Sequence, residues 1–181
     1  MSTSSTGLVA VDCFLSMICI FAAEGPDSKN LQEMQANSFE YLWMNSAGLQ
    51  GMSIPGAHTW ETSFALQTMV LSGMEGKSEC REGMQRAYHF LIQQQHLEDW
   101  RNSSPAYPFS RVGGWPFMTK RSGYSCSDCS GEALKAILLA KSRTEIDEPA
   151  GTDLEKNIRL GIDNLLLVQN NTGGYSSFKP I

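Results

Sequence analysis

Apolar residues recur along this chain at helical spacing, in blocks separated by Gly, Pro and acidic punctuation. Gly7 to Ala23 is almost continuously apolar, with Asp12 its only charge, and reads as a helix buried inside a larger protein. Met1 to Thr6 ahead of it reads as a disordered Ser/Thr leader, 1–6, before a domain over 7–181. Glu24-Gly25-Pro26-Asp27-Ser28 ends the first helix, and Asp27 or Ser28 can cap the next. Leu31, Met34, Phe39, Leu42 and Trp43 predict a second helix over Lys29–Asn45. A Gly-rich loop leads to a third helix, Thr59–Ser72, capped by Thr59 and ended by Gly73. Its apolar residues cover most of its circumference, which predicts burial on more than one side. A fourth helix spans Ser78–Leu97 with Met84, Ala87, Tyr88, Leu91 and Ile92 as its stripe. The long loop Glu98–Tyr124 is rich in aromatics, which argues against disorder and for a function. A fifth helix starts at Ser125 or Ser127 and runs to Arg143, and a sixth, capped by Thr152 or Asp153, runs to about Gln169. No segment has the alternation of a strand.

Two of these helices end alike. Gln95 leads, after an insertion, to Gly113-Gly114-Trp115, and Gln169 leads to Gly173-Gly174-Tyr175. Repeated helix pairs imply a solenoid or a closed ring. Thr59–Ser72 and Ser127–Arg143 would be inner helices, and Lys29–Asn45, Ser78–Leu97 and Asp153–Gln169 outer ones.

Composition narrows the function classes. The chain has 181 residues, 41% of them hydrophobic, and a net charge of −5. Thr119-Lys120-Arg121 is its nearest approach to a basic patch, too small for nucleic acid. The apolar N-terminal run lacks a basic flank, the first Lys or Arg being Lys29, so it does not read as a signal peptide. It also falls short of the ~20 residues of a membrane span. Five Cys without framework spacing read as reduced thiols. Cys126 and Cys129 form a CxxC, but no second Cys or His pair lies at ligand spacing, and His58, His89 and His96 are scattered. No metal is expected.

The stretch Cys126-Ser127-Asp128-Cys129-Ser130-Gly131-Glu132 sets an acid beside a thiol at the start of an apolar helix. By residue type alone, Asp128 is a proton donor or a helix cap. Ser127 to Glu132 resembles the Asp-Cys-Thr-Ala-Glu motif of oxidosqualene cyclases. Thr59-Trp60-Glu61-Thr62-Ser63-Phe64-Ala65 resembles their Trp-Asp-Thr-Ala-Phe stretch, and Gln169 to Tyr175 their QW repeat, with Tyr175 in the Trp place. Glu24 to Ser28 and Tyr41-Leu42-Trp43-Met44 are similar to fungal forms of lanosterol-synthase type. The resemblance runs from about Gly7 to the end and is to the central part of a longer enzyme of the terpene cyclase/mutase family.

That resemblance implies an all-α fold, an (α/α) barrel of paired helices. Some six helices would give a partial barrel and a truncated chain. It implies a triterpene cyclase, an isomerase that protonates the epoxide of (3S)-2,3-oxidosqualene to start polycyclisation. Neither metal nor cofactor is implied. The partners are the apolar substrate and a membrane surface, bound monotopically on the cytosolic face of the endoplasmic reticulum or a lipid droplet. Asp128 would be the general acid, Cys129 its S–H tuner and Glu132 part of the proton-return relay. Trp60 and Phe117 would stabilise carbocations through their ring faces; otherwise both are core aromatics. Trp115 matches an outer stacking residue. Ser130 and Gly131 depart from Thr and Ala, Glu61 from Asp, and Cys126 stands where Val is common. Squalene–hopene cyclases carry Asp-x-Asp-Asp here, so Cys126-x-Asp128-Cys129 lies on the epoxide side. Two alternatives remain: an inactive helical fragment of the same ancestry that acts as a binding or remnant protein, and a zinc prenyltransferase β-subunit, which would need Asp, Cys and His around a metal.

Overall fold

A computed structural model describes residues 10–39, 42–46, 48–51, 56–99, 109–122 and 124–177. The expected leader, Tyr41, Trp100 and Tyr107 lie outside the described residues. The described residues form six α-helices and one short hairpin, divided between two compact units. Unit one is Met1–Ala57 with Arg121–Gly123, and unit two is His58–Lys120 with Tyr124–Ile181.

In unit one, α1 (Ala10–Glu24) packs on α2 (Lys29–Ser38) through Cys13, Met17, Ile20, Leu31 and Met34. Ser28 caps α2, its Oγ accepting the Leu31 N–H at 3.3 Å. Phe14, Leu15, Ile18 and Phe21 of α1 are exposed in this chain, so the burial expected for it inside a larger protein is not supplied by α2. A short partner helix covers one face of a largely apolar helix and leaves the other. The expected helix over Lys29–Asn45 also stops early, at Ser38. Leu42–Asn45 (β1) instead pairs antiparallel with Gly48–Gly51 (β2). The contiguous bulky run before Asn45-Ser46 suits a strand, and Gly48, at φ 110°, supplies the turn conformation that other residues resist.

Unit two holds α3 (His58–Leu71), α4 (Ser78–Gln94), α5 (Ser127–Arg143) and α6 (Leu154–Leu167). Helix α3 packs on α4 and α5, α4 on α5, and α5 on α6. The buried stripe of α5 carries Ala133, Ala136 and Ala140, small enough to bring the neighbouring helices close, with Ile137 filling the space between. Helix α3 is buried on more than one side, against α4 and α5, as expected, while Phe64 and Leu71 are exposed. Its inward face is unexpectedly polar, but each group is satisfied. Thr59 Oγ1 donates to Met118 O at 2.5 Å, Ser63 Oγ to Thr59 O at 2.7 Å, and Gln67 Nε2 to Glu132 Oε2 at 2.8 Å.

The two Gln-to-Gly-Gly segments close their helices with the same bonds. Gln95 Nε2 donates to Gly113 O and Gln169 Nε2 to Gly173 O, each at 2.9 Å. The next residue pairs with both glycines: His96 N–H donates to Gly114 O and His96 O accepts from Gly113 N–H, and Asn170 N–H and O do the same with Gly174 and Gly173. Gly113 and Gly173 have φ of 86° and 87°, where a Cβ is strained. They differ in surroundings. A Cβ on Gly113 would lie 1.9 Å from Leu160 O, whereas one on Gly173 meets nothing within 4 Å. Gly113→Ala should therefore destabilise unit two by about 3 kcal/mol or more, and Gly173→Ala by about 1–2 kcal/mol, in urea unfolding.

His96 is buried beside this turn, and its imidazole is pushed down from 6.5 to about 3, chiefly by burial and then by the charges of Arg111 and Lys120. Folding thus favours the neutral ring. Its contribution is fully present above pH 6.5 and is lost as the pH falls from there towards 3. Between pH 6.5 and 5, before most carboxylates titrate, stability should already decline. In urea unfolding, His96→Gln should flatten that stretch of the pH profile.

Candidate active site at the start of helix α5

The start of α5 is fixed by a loop that crosses beneath it. Cys126 N–H donates to Trp115 O at 3.0 Å, and Trp115 N–H donates to Ser130 Oγ at 2.8 Å. Ser130 N–H to Cys126 O, at 2.9 Å, begins the helical ladder. Trp115 itself is 1% exposed; its Nε1–H donates to Leu91 O at 2.7 Å and its ring lies against Gly161. This residue, expected as an outer stacker, is a core residue joining α4, α5 and α6.

From Cys126 the helical repeat sends Cys129, Ser130 and Ala133 inward. Cys126 and Cys129 are 3% and 0% exposed. Asp128 turns the other way and is exposed. It is not the cap either. Cys126 holds that position, and Asp128 lies in the first turn with Oδ1 accepting the Cys129 N–H at 2.9 Å. The Cys126 and Cys129 sulfurs and a carboxylate oxygen of Asp128 nevertheless lie within 4.8 Å of one another. Burial and these neighbours push the Cys126 thiol up and hold it protonated, the hydrogen bond with Cys129 first, then desolvation, then the electrostatic influence of Cys129 and Asp128. Cys126 thus joins Asp128 and Cys129. The CxxC spacing already pairs it with Cys129 in the sequence.

Glu132 is one turn further along α5, half-buried, between Gln67 Nε2 at 2.8 Å and Lys135 Nζ at 3.3 Å. Gln67 also donates to Glu132 O at 3.2 Å, so α3 grips the helix at this point. Gln67 was not foreseen as a partner. Trp60 and Phe117 come together at the other end of the loop, with ring centroids 6.2 Å apart and planes tilted by 36°. Phe64, four residues on from Trp60, adds an edge-on ring at 4.8 Å. Phe64 was also missed as a site residue, though the spacing of four was visible. His58 opens α3 and is exposed; Tyr124 is half-buried.

The chain is 32% identical over 171 residues to a lanosterol synthase of Pneumocystis carinii, covering 94% of this chain and 23% of that protein. It is 31% identical over 173 residues to a terpene cyclase/mutase of Nectria sp, covering 96% and 23%. The chain belongs to the lanosterol synthase and terpene cyclase/mutase family. The mouse lanosterol synthase matches this family member at 29% over 186 residues, 95% of the chain and 25% of the enzyme. The chain thus spans about a quarter of the length of these relatives. No family model matches it. The six helices among the described residues agree with the all-α class expected of this family.

The Ser130 hydroxyl is the only acceptor recorded for the Trp115 peptide N–H among the described residues. Ser130→Ala should leave that buried donor unpaired and destabilise unit two by about 1–3 kcal/mol. Urea midpoints measure the loss, and near-ultraviolet circular dichroism of the tryptophans should report loosened packing around Trp115.

Proposed function

We propose that this chain carries the acid segment of a triterpene cyclase that opens the epoxide of (3S)-2,3-oxidosqualene. The observation that carries the reading is Asp128 grouped with two buried thiols at the start of α5, in a chain similar to lanosterol synthases over 94% of its length. Asp128 delivers the proton to the epoxide oxygen as its carbon–oxygen bond breaks. The oxygen becomes a hydroxyl, and the carbocation left behind is attacked by the neighbouring alkene. Cys129 orients the carboxyl group, and its backbone N–H bond to Oδ1 supports that role. Glu132 belongs to the path that returns a proton to Asp128. The Trp60 and Phe117 faces, with Phe64 at the edge, stabilise passing positive charge without offering a nucleophile.

The substrate is an oil, so the same reading brings a membrane surface, at the endoplasmic reticulum or a lipid droplet. The exposed apolar face of α1 (Phe14, Leu15, Ile18, Phe21) supports contact with lipid. No helix among the described residues is long and apolar enough to cross a membrane.

A second reading has its own observation. An acid that protonates an epoxide at neutral pH needs a dry site, and Asp128 is exposed. That favours a helical family member that binds without catalysis. Incubating the folded chain with oxidosqualene and analysing extracted lipids by gas chromatography–mass spectrometry separates the two. The cyclase reading expects a cyclised product that falls by at least ~100-fold in Asp128→Asn. Folded protein that yields only unreacted epoxide leaves the binding reading.

A further inference from the structure

The three atoms that make the candidate acid also make a donor set. Two sulfurs and one carboxylate oxygen lie within 4.8 Å of one another, contributed by the cap, second and third positions of one helix turn. We propose that Cys126, Cys129 and Asp128 form a binding site for a soft divalent cation such as Zn2+, and that cation and transferable proton compete for the Asp128 carboxylate.

Geometry supports it first. Zinc sits about 2.3 Å from sulfur and about 2.1 Å from a carboxylate oxygen, so a tetrahedral set has donor atoms a little under ~4 Å apart. The three donor atoms, within 4.8 Å of one another, lie close to that spacing. The sulfurs are buried and their backbone is fixed by the Trp115 bonds to Cys126 N–H and to Ser130 Oγ. The site is thus held in place before an ion arrives, which lowers the ordering cost of binding. Asp128, facing solvent, gives the ion its way in and leaves a fourth position for water.

Charge supports it next. Alone, the two thiols and the carboxylate repel one another once ionised. A divalent ion removes that repulsion and displaces the two thiol protons into solvent. Two thiolates, one carboxylate and the cation leave a single net negative charge at the α5 N-terminus, the sign that end of a helix favours. Sulfur donors select the softer ions, Zn2+ and Cd2+, over Mg2+ and Ca2+. The competition with the proton rests on the cyclase reading; the ion site does not. When the ion is bound, the Asp128 oxygen is coordinated and delivers no proton, so the cation acts as an inhibitor of the same site.

The test titrates the thiol-reduced full chain with Co2+, follows thiolate-to-metal charge-transfer absorption, and then displaces Co2+ with Zn2+. One equivalent should bind with the absorption of two sulfurs. Cys126→Val should weaken binding by about 100-fold or more, and Asp128→Asn should weaken it while keeping two-sulfur absorption. Circular dichroism checks each fold. Should Cys126→Val unfold, Asp128→Asn, altering an exposed side chain, still decides through its affinity. Absence of the charge-transfer band in folded protein overturns the proposal. So does an affinity that neither substitution changes, since Cys13, Cys19 or Cys80 would then hold the ion. Binding needs no turnover. A chain that binds Co2+ and cyclises nothing removes the cyclase reading alone, and one that cyclises oxidosqualene without binding Co2+ removes the ion site alone.

Discussion

The peptide group of Trp115 is bonded on both sides to the beginning of α5: its carbonyl to the Cys126 N–H, its N–H to the Ser130 hydroxyl. Its indole reaches the other way, to a carbonyl of α4, and lies against the glycine of α6. A buried indole without a partner for its N–H would be costly, and this one has a partner at 2.7 Å. The neighbouring Gly113 and Gly114 allow the approach, because a Cβ on either would meet backbone or side-chain atoms at 1.9 Å and 2.5 Å. The position of Cys126, and through it of Asp128 and Cys129, follows from how this one loop residue is seated.

Much of that was legible in the chain. The Gln-to-Gly-Gly repeat was visible as letters, and the structure gives it meaning: one amide-to-carbonyl bond and one pair of peptide bonds, made twice. Helix α5 was readable to the residue at its end and to within two residues at its start, because a polar start, an apolar period and a basic last turn coincide. Other features depend on partners that are distant in sequence. Whether Leu42 and Trp43 continue a helix or begin a strand is settled by the Gly48–Gly51 segment opposite them, not by their own spacing. The faces of α3 could not be ranked by apolarity, since Thr59, Ser63 and Gln67 are buried and Phe64 is not. Their bonds to Met118, Thr59 and Glu132 make those polar residues the inward ones.

The candidate site divides along the same line. The resemblance pointed to Asp128, Cys129, Glu132, Trp60 and Phe117, and the CxxC spacing paired Cys126 with Cys129; only packing brought in Phe64 and Gln67. The acid's environment is the feature least visible in sequence. A one-residue step along a helix turns a side chain by ~100°, so Asp128 faces solvent while Cys129 beside it is buried completely. An acid and two thiols can hold a proton when dry or a soft cation when wet. Which of these the chain uses depends on whether an apolar ligand covers the carboxylate.

The protonation state of Asp128 against such a ligand is therefore the deciding quantity. It can be read by labelling aspartate carboxyls with carbon-13 and recording the Asp128 resonance, assigned through Asp128→Asn, at neutral pH with and without a non-reactive oxidosqualene analogue. The account predicts that the analogue moves the resonance to the position of a protonated acid. A resonance that stays at the carboxylate position while the analogue binds would contradict it.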